Sequence, residues 1–156
     1  MQTTSLPLTV RSSDFEPNSA IPVKFTADGD SRMPQLLWGP VPGGTESLAV
    51  LVEDPDAPDG PFVHCIAYGI TPLTTHFDGE LPAGAYFGLN GHAVAGWTPP
   101  NPPSGTHRYV FTVFALDIVV SEPGMNKHDF LAAIGNHILA IGSVIGTYGK
   151  TADAQH

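Results

Sequence analysis

The chain has 156 residues, 42% of them hydrophobic, so it is one domain in size with enough apolar content to bury a core. Six Lys and Arg against fifteen Asp and Glu give a formal net charge of −9. That excludes the basic surface needed to bind nucleic acid or to adsorb broadly on an anionic membrane, and the single Cys excludes an intrachain disulfide and a Cys cluster for zinc.

At the N-terminus, Met1 to Val10 lacks a basic segment followed by a long apolar run, and so does not read as a signal peptide. No stretch is long and apolar enough for a transmembrane segment, and a reducing, cytoplasmic address is expected. Short apolar or alternating runs then recur with Gly and Pro between them as turn punctuation. Leu8-Thr9-Val10, Val23-Lys24-Phe25, Leu36-Leu37-Trp38, Leu48 to Val52, Val63 to Ile70 and Tyr109 to Leu116 all read as strands. In the last, Tyr109, Phe111, Val113 and Ala115 share one side while Val110, Thr112, Phe114 and Leu116 share the other, which marks a strand covered on both faces. A helix is expected from the Asn126 cap, with Asp129 favouring its dipole and Phe130, Ile134, Ile138, Ile141 and Ile145 at roughly helical spacing. Gly142 and Gly146 suggest that it ends near Ile141, with Ser143 to Tyr148 extended beyond. The reading is one mainly-β domain with a C-terminal helix.

Three segments place titratable residues beside apolar strands. Glu53-Asp54-Pro55-Asp56-Ala57-Pro58 follows the Leu48–Val52 run, and its prolines stiffen the turn that holds the carboxylates. A solvated turn using Asp for its local hydrogen bonds accounts for the same residues. In Pro61-Phe62-Val63-His64-Cys65-Ile66, strict alternation puts His64 on the face of Ile66 and Tyr68, where a satisfied core or edge histidine is the plainer reading. The third segment, Pro99-Pro100-Asn101-Pro102-Pro103-Ser104-Gly105-Thr106-His107-Arg108-Tyr109, is a Pro-rich loop running into a strand. His107 and Tyr109 fall on one face, free to point into a pocket, and Arg108 on the other. Arg108, beside a buried strand, needs a carboxylate, with Asp56 or Asp54 the natural partner.

Asp-Pro-Asp-Ala-Pro, a downstream strand His, and Pro-Pro-x-Gly-x-His-Arg-Tyr-Val-Phe together resemble the phosphatidylethanolamine-binding protein family in order and relative position. Phe15 to Phe25 looks like its early strands and Phe114-Ala115-Leu116-Asp117 like the end of its His-Arg-Tyr strand. Ile138 to Lys150 is similar to the compact prokaryotic branch called Raf-kinase-inhibitor-like proteins. The resemblance covers about Leu8 to Lys150. It implies an antiparallel β-sandwich of two sheets and a pocket for phosphate, phosphoethanolamine-like or carboxylate groups, lined by Asp54, His64, His107 and Tyr109. Asp56 and Arg108 match a supporting pair beneath that pocket, and Pro100, Pro102 and Pro103 a rigid wall. It also implies a homodimer, a phospholipid headgroup as one form of the ligand, and a kinase or protease as a possible class of protein partner, with no cofactor and no catalytic role.

The chain departs from the family pattern around the pocket mouth. Gly88-Leu89-Asn90-Gly91-His92-Ala93 stands where Gly-x-Asn-Asp, an aromatic and Gly are usual. Gly96-Trp97-Thr98-Pro99-Pro100-Asn101-Pro102-Pro103 replaces Gly-Tyr-x-Gly-Pro-Cys-Pro-Pro, and Cys65 replaces the aromatic after the strand His. Ligand selectivity is what these changes touch. The rival reading is a metal-dependent hydrolase built on the two His and two Asp, which lacks a short-spaced His pair. A nucleophilic hydrolase lacks a Gly-x-Ser-x-Gly elbow, and Cys65 is expected on the strand face opposite His64. His76, His92, His128, His137 and His156 lie outside the matching motifs and read as surface or loop residues.

Overall fold

Runs that are apolar on both faces need cover on both faces, and a sheet sandwiched between two layers supplies it. The computed structural model describes residues 5–149; the readings above that touch Met1–Thr4, Lys150 and His156 lie outside the described residues. The strands are β1 (Leu6–Pro7), β2 (Val10–Ser12), β3 (Ser19–Ala20), β4 (Leu36–Trp38), β5 (Ser47–Asp54), β6 (Phe62–Ile70), β7 (His76–Phe77), β8 (Tyr86–Phe87), β9 (Thr106–Leu116) and β10 (Ile138–Gly149), and the helix is α1 (Lys127–Ile134). The larger sheet runs β1-β10-β9-β5-β6-β8, with β3 also paired to β10, and β2-β4-β7 form the smaller. Neighbours from β10 to β8 are antiparallel, whereas β1 and β3 pair with β10 in parallel.

The two faces of the larger sheet carry separate cores. Val50, Val52, Phe111 and Val113 pack against Val10, Leu36, Trp38 and Phe77 of the smaller sheet. On the other face Ala49, Leu51, Phe114 and Leu116 pack against Phe130 and Ile134 of α1. Burying one such large side chain contributes about 1.5–3 kcal/mol, so the expected alternation along β9 is enforced from both sides. Asn126 caps α1, its Oδ1 accepting from the Asp129 N–H at 2.8 Å.

Three expected elements are corrected. Val23–Phe25 is a turn of 3-10 helix, not a strand. Pro22 holds φ at −57° and the Thr26 hydroxyl donates to the Val23 carbonyl at 2.8 Å, which closes the chain into a turn. Leu8-Thr9-Val10 spans the point where the chain leaves the larger sheet for the smaller, so β1 ends before it and β2 begins at Val10. The helix stops at Ile134, seven residues before the expected end, and Ile138, Ile141 and Ile145 belong to β10. Gly142 and Gly146 are not helix terminators. A Cβ on Gly142 would lie 1.7 Å from the Leu8 carbonyl oxygen, and one on Gly146 would lie 2.6 Å from Ile21 and 2.9 Å from Phe15. Both glycines mark places where other chain segments press against β10.

Candidate functional site

Because β5 is antiparallel to both β9 and β6, its C-terminal end lies beside their N-terminal ends. That one topological fact brings Asp54 from β5, His64 from β6, and His107 and Tyr109 from β9 to the same edge of the sheet. They line a cavity of about 250 Å³ together with Phe62 and His92, closed by Pro99, Pro102 and Pro103. Asp54, His64, His107 and Tyr109 are all buried.

Asp54 accepts on both carboxylate oxygens. Oδ2 lies 2.6 Å from Nδ1 of His107, and Oδ1 accepts the backbone N–H of Asp56 at 2.8 Å. A carboxylate is an acceptor only, so His107 carries its proton on Nδ1 and presents Nε2 elsewhere. His64 is held in the same manner: its Nδ1 lies 2.7 Å from the Thr98 carbonyl, which again leaves Nε2 free of that bond. Burial pushes the His64 pKa down from its ordinary 6.5, partly opposed by the Thr98 bond and by the Asp54 charge. Its ring packs edge-on against Tyr109 with centroids 5.2 Å apart. Burial, reinforced by Asp54, raises the Tyr109 pKa well above its ordinary 10, so the hydroxyl stays a donor.

Asp56 and Arg108 pair as expected, with Oδ2 accepting from the Arg108 backbone N–H at 2.8 Å and from Nε at 3.0 Å, and Oδ1 from Nη2 at 2.8 Å. These bonds hold the Asp56 carboxyl at about 2. The pair is not beneath the pocket, however: the Arg108 side chain is 56% exposed, and the pair fastens the acidic turn to the start of β9 from outside.

Two further expectations change. His64 does not share the face of Ile66 and Tyr68, which belong to the core under α1. A bulge sets Val52 opposite Cys65 and Glu53 opposite Val63, so His64 is the extra residue and its ring joins Tyr109 and Trp97 on the other face. Cys65 lies on that same face, in the core between the sheets, where burial pushes its thiol up to about 12. Pro100 is not part of the wall: it is buried behind the loop, its carbonyl accepting from Ala27 N–H at 2.9 Å, while Pro99 lines the cavity. His92, an exposed loop residue as expected, and the half-buried Phe62 also line the cavity, a role that motif reading passed over. The signal for His92 was its place in the atypical 88–97 segment at the expected mouth. His76 and His128 are exposed and His137 is half-buried, away from the cavity. Among the described residues, no three His, Cys, Asp or Glu side chains group as a metal site, and no helix is long and apolar enough to cross a membrane.

Fold and cavity together define a β-sandwich of two sheets with a pocket at one end of the larger sheet, where Asp54, His64, His107 and Tyr109 stand among apolar walls. Residues 11–149 match the family model of the phosphatidylethanolamine-binding proteins, and the chain belongs to that family. It is 39% identical over 143 residues to a UPF0098 protein of Methanothermobacter thermautotrophicus, covering 87% of this chain and 95% of that protein. A UPF0098 protein of Chlamydia trachomatis is 37% identical over 142 residues, covering 87% and 95%. Among solved structures, a phosphatidylethanolamine-binding protein homologue from Chlamydia trachomatis, CT736, superposes with a TM-score of 0.87 at 37% identity, covering 94% of this chain and 99% of that one. Escherichia coli YbcL, described as a member of the mammalian family, gives 0.85 at 26% identity, covering 92% and 98%.

Proposed function

We propose that the chain binds a small oxyanion (a phosphate, a phosphoethanolamine-like group or a carboxylate) in this pocket, as a binding protein and not as a catalyst. The observation that carries the reading is the Asp54–His107 couple, 2.6 Å long and buried, which aims an imidazole into a cavity also lined by His64 and Tyr109. A volume of about 250 Å³ suits a headgroup, not a lipid chain. Pro-rich walls and a turn fastened by Asp56–Arg108 fix these groups in advance, which lowers the ordering cost of binding. A catalytic role finds less support. Cys65 is buried with its thiol held protonated, and the Asp54 carboxylate accepts from two N–H groups instead of standing as an uncommitted base.

The test is calorimetric titration of inorganic phosphate and O-phosphoethanolamine into the wild type and His107→Ala. Heat of binding is expected from the wild type and a loss of about tenfold or more in affinity from the variant. Equal binding by the two proteins rejects the pocket.

A further inference from the structure

His64 and His107 share a property that decides what they can offer a ligand. Each gives its Nδ1–H to a fixed acceptor, the Thr98 carbonyl or the Asp54 carboxylate. In the neutral form each therefore presents to the cavity only the lone pair of Nε2. A phosphate oxygen without hydrogen finds an acceptor there, whereas a phosphate that still carries a proton finds a partner.

His92 differs. Its ring lies edge-on to Phe62 with centroids 5.0 Å apart, and Phe62 is in turn 5.0 Å from the His64 ring. Neither ring nitrogen of His92 has a hydrogen-bond partner among the described residues, so either neutral tautomer has an N–H to give.

The segment that carries His92 is closed on itself. The Asn90 Oδ1 accepts from His92 N–H at 2.9 Å and Val94 N–H at 3.4 Å, and its Nδ2 donates to the Gly96 carbonyl at 3.0 Å. Asn90 N–H donates to the Val94 carbonyl and Gly91 N–H to the Val63 carbonyl, both at 2.8 Å. Gly91 lies so close to Phe62 that a Cβ would come within 2.2 Å of its ring. The imidazole thus rides on a short turn seated against β6.

We propose that His92 contacts the ligand as an N–H donor and that the pocket selects a phosphate monoester or hydrogen phosphate over a phosphodiester. This rests on the oxyanion reading above and names its ligand class. His92 and the Tyr109 hydroxyl donate to the bare oxygens, while the remaining P–O–H donates to Nε2 of His64. A monoester has its second pKa near 6 and supplies that proton close to neutrality. A diester has no P–O–H and would leave the buried His64 lone pair facing its oxygens, a mismatch of the kind that discriminates strongly. Burial, which disfavours protonation of His64, works in the same direction.

The experiment is calorimetry at pH 6.5 with inorganic phosphate, O-phosphoethanolamine and glycerophosphoethanolamine, on the wild type, His92→Ala and His92→Asn, with thermal unfolding to confirm that each variant is folded. Wild type should bind O-phosphoethanolamine about tenfold or more above glycerophosphoethanolamine, the diester form in which a lipid carries the same group. His92→Ala should weaken phosphate and O-phosphoethanolamine by about tenfold, with partial recovery in His92→Asn, which retains an N–H donor. Unchanged affinity in His92→Ala, or a wild type that binds the diester as well as the monoester, overturns this inference while leaving the pocket standing. Absence of binding by the wild type to all three overturns both.

Discussion

Asp54 and His107 are 53 positions apart in the chain, yet Oδ2 and Nδ1 meet at 2.6 Å in a buried couple. Removing the carboxylate strands two donors at once, the His107 Nδ1–H and the Asp56 N–H. Asp54→Ala is therefore expected to cost about 1–3 kcal/mol in stability and to weaken phosphate binding together with it. Urea denaturation supplies the first number and calorimetry the second. A variant as stable as the wild type would mean that the couple does not hold the strand ends.

The Asp56–Arg108 pair leads to an acid-range prediction. Arg108 holds the Asp56 carboxyl at about 2, below its ordinary 3.8. A depressed carboxylate contributes stability above its unfolded value and loses it as pH falls through the folded one. The wild type should thus exceed Arg108→Gln in urea midpoint at pH 6, and the gap should close between about pH 4 and pH 2. Because the pair is exposed and screened, the gap will be small and will shrink further in salt. A gap that persists at pH 2 would contradict this assignment.

His64 gives a signal of the same sign, but near neutrality. Burial lowers its pKa below 6.5, so the unfolded chain takes up the proton first. Stability from the buried neutral ring is complete above pH 6.5 and declines as pH falls below it, by at most about 1.4 kcal/mol per pH unit for one proton. His64→Gln lacks this term. Its stability difference from the wild type should accordingly change between pH 7 and pH 5 in the sense that the wild type loses more, and parallel curves would sink the claim.

Much of this site was legible in the sequence because strand periodicity carries direction. The alternation in Tyr109–Leu116 placed His107 and Tyr109 together and set Arg108 apart, and the structure keeps that division. The same rule misplaced His64 because a bulge adds one residue between Val63 and Cys65 and rotates the imidazole to the other face. Composition bears no mark of such an insertion. His92 was hidden for another reason: its position depends on Gly91 fitting against the Phe62 ring, a contact between a loop and a strand that no local pattern encodes.

The misread helix end makes a final prediction. Ile138, Ile141 and Ile145 have helical spacing, but they sit on a strand paired along its length with β9. What decides between the two is the crossing of the Leu8 backbone over Gly142, whose missing side chain leaves room for the Leu8 carbonyl. Leu8 N–H donates to the Ile141 carbonyl at 2.9 Å, so the two segments are bonded at the point of contact. Gly142→Ala forces a methyl group against a main-chain oxygen that has no rotamer by which to yield. The expected cost is about 3 kcal/mol, the upper part of the range for overpacking, against no more than about 1 kcal/mol for alanine at Gly43, which has nothing within 4 Å of its Cβ position. Urea midpoints of the two variants measure the difference. Equal midpoints would mean that β1 can leave β10 without loss, and that the parallel pairing of Leu6 with Ala140 contributes nothing to the edge of the sheet.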